Sequence, residues 1–346
     1  MKPRRILCVL LLAAGLVAAS QPRLPEAVPI VHATDVAVEL GTGLWGFPLP
    51  FDFDGDGLKD LLVSCPDRPY HGTYYFHNIG TAAKPFFDCA VKISDKSYQN
   101  LRYSEVDGVP YVFTPDYLME DFFLAPFEKK VKVPYEGPSL TEGITKFRTN
   151  MWNYVDWDND GDLDIVVGID SWDDYGWDNA FDSKGNWTNG PLHGWVCLLE
   201  NVDGKYVNKG RVQAGGKDID TYGSPIPCVA DFDGDGDLDI ICGEFTDELT
   251  WFENKGSRSE PVFAEGRKMT DRKGNMIRFH IEMIVPVVTD FDGDGRPDLV
   301  VGDEDGTVSY VHNTGKTRKG MPLFDTPVNQ LLTDAVDTPQ WRETSA

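Results

Sequence analysis

The chain has 346 residues, 41% hydrophobic and 12% aromatic, which supplies a sizeable core as one large domain or two ordinary ones and excludes a disordered chain. Against 56 Asp and Glu stand 32 Lys and Arg, a formal charge of -24 that repels a phosphate backbone, so no nucleic acid is expected as a partner. Such an excess of carboxylates favours cations instead.

Residues 1–20 place Lys2, Arg4 and Arg5 ahead of an apolar run to Val17 and small residues up to Ser20, the pattern of a secretory signal peptide. Its apolar part is too short to span a bilayer, and no later stretch is long and apolar enough. The expectation is a secreted, extracellular or periplasmic protein that is not membrane-spanning. Cleavage removes three positive charges and leaves five cysteines, Cys65, Cys89, Cys197, Cys228 and Cys242. They follow no framework spacing, so mostly buried thiols are expected, with one or two bridges open in such a compartment.

Residues 21–44 form an N-terminal segment, a candidate outer closing strand. Asp52 then opens DFDGDGLKDLLVS, and the pattern D-x-D-x-D-G-x-x-D with an apolar tail returns as DWDNDGDLDIVVG from Asp156, DFDGDGDLDIICG from Asp231 and DFDGDGRPDLVVG from Asp290. The starts lie 104, 75 and 59 residues apart. A worn copy, YSEVDGVPYVF from Tyr103, divides the widest gap. With Tyr103, Glu105 and Tyr111 in place of three loop aspartates, it is expected to keep its fold and lose its ion.

Each unit also carries a second half, an Asn-x-Gly turn and a Pro-x-Phe: Asn78 to Gly80 with Pro85 to Phe87, Asn254 to Gly256 with Pro261 to Phe263, and Asn313 to Gly315 with Pro322 to Phe324. Asn and Gly tolerate positive φ and suit tight hairpins. Short strands punctuated by turns at this period predict propeller blades, because one four-stranded sheet must stack on its neighbours to bury both faces. The fold class expected is all-β, a β-propeller of four-stranded antiparallel blades spanning 45–326, with helix nearly absent and 327–346 as a tail or the start of a further blade.

In the acidic loops, carboxylates at positions 1, 3 and 5 converge on one point, Gly at position 6 allows the sharp turn, and position 9 can close the shell bidentately. Hard oxygens without His or Cys select Ca²⁺. Position 12 holds Val63, Val167, Cys242 and Val301, not the Glu of an EF-hand, and each loop runs straight into a strand.

These four motifs resemble the calcium loops of FG-GAP-like repeats, also called VCBS repeats, which build the propeller at the head of integrin alpha chains and of many secreted bacterial proteins. The resemblance covers about residues 45–326. It implies a propeller, usually seven-bladed, with about four structural Ca²⁺ held by Asp52, Asp54, Asp56 and Asp60; by Asp156, Asp158, Asp160 and Asp164; by Asp231, Asp233, Asp235 and Asp239; and by Asp290, Asp292, Asp294 and Asp298. Leu58, Asp162, Asp237 and Arg296, at position 7, offer only a backbone carbonyl. Only five units are visible, so either the ring closes with five blades or the chain is a piece of a longer protein; the second is the expectation favoured.

Function is expected outside the loops. From Asp164 to Asn201 is 37 residues, where Asp239 to Asn254 and Asp298 to Asn313 are 15 each, which marks an insertion over residues 171–194. It holds Trp172, Tyr175, Trp177, Trp187 and His193, and flat aromatic faces beside polar groups suit sugar rings. The competing reading is a loop packed over the end of the ring by its own aromatics. The basic stretch at residues 265–280 adds Arg278 and His280, either a solvated hairpin or a seat for an anionic ligand. The expected function is a secreted calcium-binding propeller that takes a glycan or an extracellular protein through end-face loops. The alternative is a polysaccharide lyase or related carbohydrate-active enzyme on acidic polysaccharide, with His193 or His280, Tyr175 or Tyr222, and Arg278 sharing the chemistry.

Overall fold

A computed structural model describes residues 37–39, 41–176, 180–327 and 332–334. Residues 1–20, expected as a signal peptide, most of segment 21–44, most of the tail from 327 and, within the insertion, Trp177 lie outside the described residues. No helix occurs among those described, and none is long and apolar enough to cross a membrane.

Five antiparallel sheets form a five-bladed propeller. Their inner strands are Phe47–Phe51, Arg102–Val106, Asn150–Val155, Ile226–Ala230 and Val285–Thr289, and each pairs with the second strand of its blade: Asp60–Cys65, Val109–Thr114, Asp164–Ser171, Asp239–Gly243 and Asp298–Gly302. The first, second and fourth blades are four-stranded. The third gains Tyr135–Glu136 and Asp220–Thr221 at its margins, and the fifth has three strands followed by a separate hairpin, Asn313–Arg318 with Met321–Phe324. The second strands carry unbroken apolar runs because neighbouring blades cover both of their faces; Asp60–Cys65 is buried along its whole length.

The expectation of a piece of a seven-bladed ring gives way to a ring that closes with five. Trp45 N–H donates to Glu304 O at 2.8 Å and Gly46 N–H to Asp303 O at 3.1 Å, stitching the entry of the first blade to the turn of the fifth. Gly302 makes this approach feasible, since a Cβ there would lie 2.2 Å from Gly46 O. A buried cluster joins Leu61, Val63, Phe76 and Phe87 of the first blade to Phe291, Val300 and Tyr310 of the fifth. Outside the ring, Ala37–Glu39 pairs with Leu332–Asp334.

The axis is filled rather than hollow. Arg102 is fully buried there, donating from Nε to Asn153 Oδ1 at 2.5 Å, from Nη2 to Pro227 O at 3.1 Å, and from Nη1 to Pro286 O. One guanidinium of the second blade thus holds the inner strands of the third, fourth and fifth, and no feature of the repeat pattern announced it.

The second blade corrects the alignment of the worn copy. Val106 pairs with Val109 as Phe51 pairs with Asp60. Tyr103 and Glu105 are therefore strand residues, and the loop has been deleted, not substituted. Asp107 and Gly108, with φ of 52° and 75°, close the hairpin in the two-residue turn that positive φ at both positions favours. Cys65, Cys197, Cys228 and Cys242 are buried free thiols and Cys89 is part-exposed; no disulfide occurs among the described residues.

Candidate functional site

The four acidic loops join the first and second strands of blades one, three, four and five, so all four stand on one end of the ring. The insertion joins second to third strands and stands on the other end, because antiparallel strands alternate direction. Carboxylate oxygens within 4.8 Å of one another gather from Asp52, Asp54 and Asp60, from Asp156, Asp158 and Asp164, and from Asp231, Asp233 and Asp235.

The backbone is bent to serve these oxygens. In the fourth blade, Asp231 Oδ1 accepts the Gly234 N–H at 2.8 Å and Oδ2 the Gly236 N–H at 3.1 Å; Asp52 and Asp290 repeat the second contact with Gly57 and Gly295. Positive φ at the fourth position falls on glycine in three loops and on Asn159, at 64°, in the other.

Position 9 is built into the blade. Asp60, Asp164, Asp239 and Asp298 are buried, and one oxygen of each accepts the backbone N–H of Asn78, Asn201, Asn254 or Asn313 at 2.7–2.8 Å. The second oxygen of Asp60, Asp164 and Asp298 accepts the N–H of Phe53, Trp157 or Phe291. The loop is thereby pinned to the Asn-x-Gly turn of its own blade in the first, fourth and fifth, and to the third strand at Asn201 in the third. In the fourth blade no backbone N–H reaches that second oxygen, Asp239 Oδ2; the Trp251 indole N–H faces it instead and lowers the pKa of the carboxyl, without the geometry of a full hydrogen bond. Asp158 Oδ1 and Asp237 Oδ1 are enclosed and unpaired.

Burial without a cation resists ionisation. Desolvation, only partly offset by backbone N–H donors and augmented by neighbouring aspartates, pushes Asp239 up to about 7 and Asp164 up to about 6. Desolvation and the Asp235, Asp233 and Asp231 charges raise Asp237 to about 6. Asp298 reaches about 6 by burial, despite the Asn313 N–H and the Tyr310 hydroxyl that it accepts.

Two histidines follow the repeat. The residue before each Asn turn is His77, Glu200, Glu253 or His312, and the fold brings both imidazoles to the loops. His77 Nε2 lies 3.0 Å from Asp54 Oδ2, and His312 Nδ1 lies 3.2 Å from Asp292 Oδ2 and 3.3 Å from Asp298 Oδ1. The signal was legible as His-Asn-x-Gly in two units. In the fifth blade Arg296 also lies against Asp294, so its position 7 contributes a cation as well as a carbonyl. Lys59, by contrast, turns from its loop to Glu105 at 2.6 Å.

On the opposite end, the insertion's aromatics are largely spent on one another. Trp172 is buried, its indole N–H donating to Asp170 Oδ2 at 2.8 Å and its ring meeting Phe245 edge-on at 5.5 Å. Tyr175 and Trp187 stack at 4.4 Å. His193 sits between Asp220, at 2.8 Å, and Asp174, at 3.4 Å, and stacks on Trp195. Arg278 lies on the connection between the fourth and fifth blades, where Asp247, at 2.8 Å, and Glu248 pair with it, and His280 faces Asp305 at 3.9 Å. No ion pair or hydrogen bond joins Arg278 to His193 among the described residues. A groove of 410 Å³ does open beside Asp220, bordered by Tyr222, Glu244 and Lys268.

Comparison with known proteins finds no matching family and no matching curated protein. Among solved structures, the chain is similar to the Photorhabdus luminescens Tc holotoxin pore at 15% identity and a TM-score of 0.30, over 79% of this chain and 15% of that one. It is also similar to an S. cerevisiae structure of Dbp5 bound to Nup159, Gle1, IP6 and ADP, at 8% identity and a TM-score of 0.30, over 72% of each chain. Scores of this size carry no argument about function.

Proposed function

We propose that the chain is a secreted, calcium-binding β-propeller of the FG-GAP-like kind, its ions structural, which takes a glycan or protein ligand on the end opposite the loops. The observation that carries the reading is the convergence of carboxylate oxygens to within 4.8 Å of one another in loops of the same build, with Asp158 Oδ1 enclosed and unpaired among them. An unpaired buried carboxylate is costly, and a hard divalent cation relieves it. Asp52, Asp156, Asp231 and Asp290 with their partners at positions 3, 5 and 9 would hold the ions, which supply charge neutralisation and crosslink each loop. His77 and His312 fit as hydrogen-bond donors that orient Asp54 and Asp292.

The groove beside Asp220 and Tyr222 supports the ligand end. The lyase alternative needs a free cation for the uronate, and the pairing of Arg278 with Asp247 and Glu248 weighs against it. Calorimetric titration of metal-free protein with CaCl₂ tests the metal reading. About four sites are expected, with affinities of roughly 0.1–1 mM as in extracellular calcium modules. Absence of calcium-specific heat across that range ends it. A glycan array read in calcium, repeated with Tyr222→Ala, tests the ligand end.

A further inference from the structure

Each intact loop carries an aromatic residue at its second position: Phe53, Trp157, Phe232 and Phe291. In three loops the following blade covers it. Trp157 of the third blade lies 5.5 Å from Phe263 in the Pro-x-Phe of the fourth. Phe232 of the fourth lies 6.2 Å from Phe324 in the Pro-x-Phe of the fifth. Phe291 of the fifth shares a buried cluster with Phe87 of the first. The ring therefore has a rule: each Pro-x-Phe roofs the loop aromatic of the blade before it.

The first blade should be roofed by the second, which has lost the Asn-x-Gly turn and its Pro-x-Phe along with the loop. In their place runs a turn through Asp121 to Phe127, whose Phe127 is buried in the axial core. Phe53 is consequently 37% exposed, whereas Phe232 and Phe291 are 2% exposed. A cleft of 810 Å³ opens at this point. Phe51 stacked on Phe123 at 4.1 Å lines it, together with Leu124, which is 87% exposed. Glu120 and Asp121 line it against a single ammonium, Lys129, which lies 3.6 Å from Asp121 and against Glu120; Asp52 and Asp54 of the first loop lie beside them, their charge offset where that loop holds an ion.

We infer that this cleft docks a peptide segment of a partner protein that presents an aromatic side chain beside Lys or Arg. The ring takes the place over Phe53 that Phe263 and Phe324 take over their neighbours, and the cation meets the acidic rim. Both halves of this specificity come from the molecule itself. Two ring contacts and a third shared cluster define the shape, and Glu120 and Asp121, outnumbering Lys129, define the charge. The site lies on the loop end of the ring, apart from the insertion, and its apolar part stands whether or not the first loop holds an ion.

The test uses the full chain in calcium and a fluorescein-labelled peptide, Gly-Arg-Pro-Val-Phe-Arg-Gly, read by anisotropy. Saturable binding is expected, at least about tenfold weaker when the peptide Phe is replaced by Ala and again when the protein carries Phe53→Ala or Leu124→Asp, as loss of one buried large side chain implies. Val262→Asp, an exposed change on the fourth blade, should leave it unaltered. Because Leu124 is on the surface, its variant should fold even if that of Phe53 does not. No saturable binding up to about 1 mM peptide, or equal binding by Leu124→Asp, overturns the inference. So does a gain of about tenfold in Trp341→Ala, which would mean that the chain's own Pro339–Trp341 segment is the occupant.

Discussion

The second and fourth blades occupy equivalent places in one ring and solve the same junction in opposite ways. In the fourth, eight residues, 231–238, make the turn between the inner two strands, and Asp239, buried at the head of the second strand, accepts the Asn254 N–H. In the second, Asp107 and Gly108 suffice, and both flanking strands remain in register. A blade thus needs no acidic loop in order to form. What the loop adds is a crosslink from the first turn to the outer half of the sheet, made by the Asp239 carboxylate that accepts the Asn254 N–H.

That contrast breaks most severely if metal is irrelevant. Calcium at ten times its dissociation constant contributes about 1.4 kcal/mol per site, roughly 6 kcal/mol for four. Exhaustive chelation should then lower Tm by roughly 10–20 °C, and calorimetry showing superimposable curves would leave the loops as ordinary turns. Closure of the ring is a separate matter. Gly302→Ala, which drives a Cβ to within 2.2 Å of Gly46 O, should cost about 3 kcal/mol with or without calcium. A normal melting temperature in both states would show that the junction of the first and fifth blades yields easily.

A sharper comparison sets one residue of each blade side by side. Asp239→Asn keeps an acceptor for the Asn254 N–H but removes charge, so one ion of four should vanish by metal analysis and the calcium-bound Tm should fall by about 3–6 °C. In the metal-free protein the same change should be neutral or stabilising, since it relieves a buried carboxylate. Glu105→Gln, in the strand of the second blade, should leave the calcium content unchanged. If it removes an ion, the second blade is not metal-free.

The smallest effect expected is on pH. In the ion-free fold Asp164, Asp237 and Asp298 sit near 6 and Asp239 near 7, above the 3.8 of an unperturbed aspartate. The folded state therefore binds more protons than the unfolded one between about pH 4 and 7, and stability falls as pH rises through that window. Metal-free Tm should climb by a few degrees from pH 7.5 to 5, whereas bound calcium, which keeps these groups ionised, should flatten or reverse the trend. A metal-free Tm that drops on acidification contradicts the buried placement of these groups.

Blade architecture was legible because the repeats state it twice, in D-x-D-x-D-G-x-x-D and in Asn-x-Gly with Pro-x-Phe; both signals concern local turns, which sequence encodes in adjacent residues. Deletion of the second loop was misread as substitution because Tyr103, Glu105 and Tyr111 can be laid over the pattern by count, whereas strand pairing fixes their place in space. His77 and His312 escaped notice because each lies some 20 residues beyond the aspartates it approaches. The aromatic insertion gave the right residue types for sugar stacking and equally for self-packing, and only coordinates distinguish a Trp172 facing solvent from one turned onto Phe245. Arg102 left no trace at all, since its partners are carbonyls, an amide and the Cys228 thiol supplied by three other blades.

That side chain has a mechanical meaning for the whole molecule. Linear repeat arrays can fray from their ends, one unit at a time, because each unit touches only its neighbours. Here a single cation is gripped by strands from the third, fourth and fifth blades at once, and loosening any one of them strips hydrogen bonds from a charge that has no water to turn to. The propeller should therefore come apart as a unit, and the amides around Arg102 should be the last in the chain to exchange with deuterium.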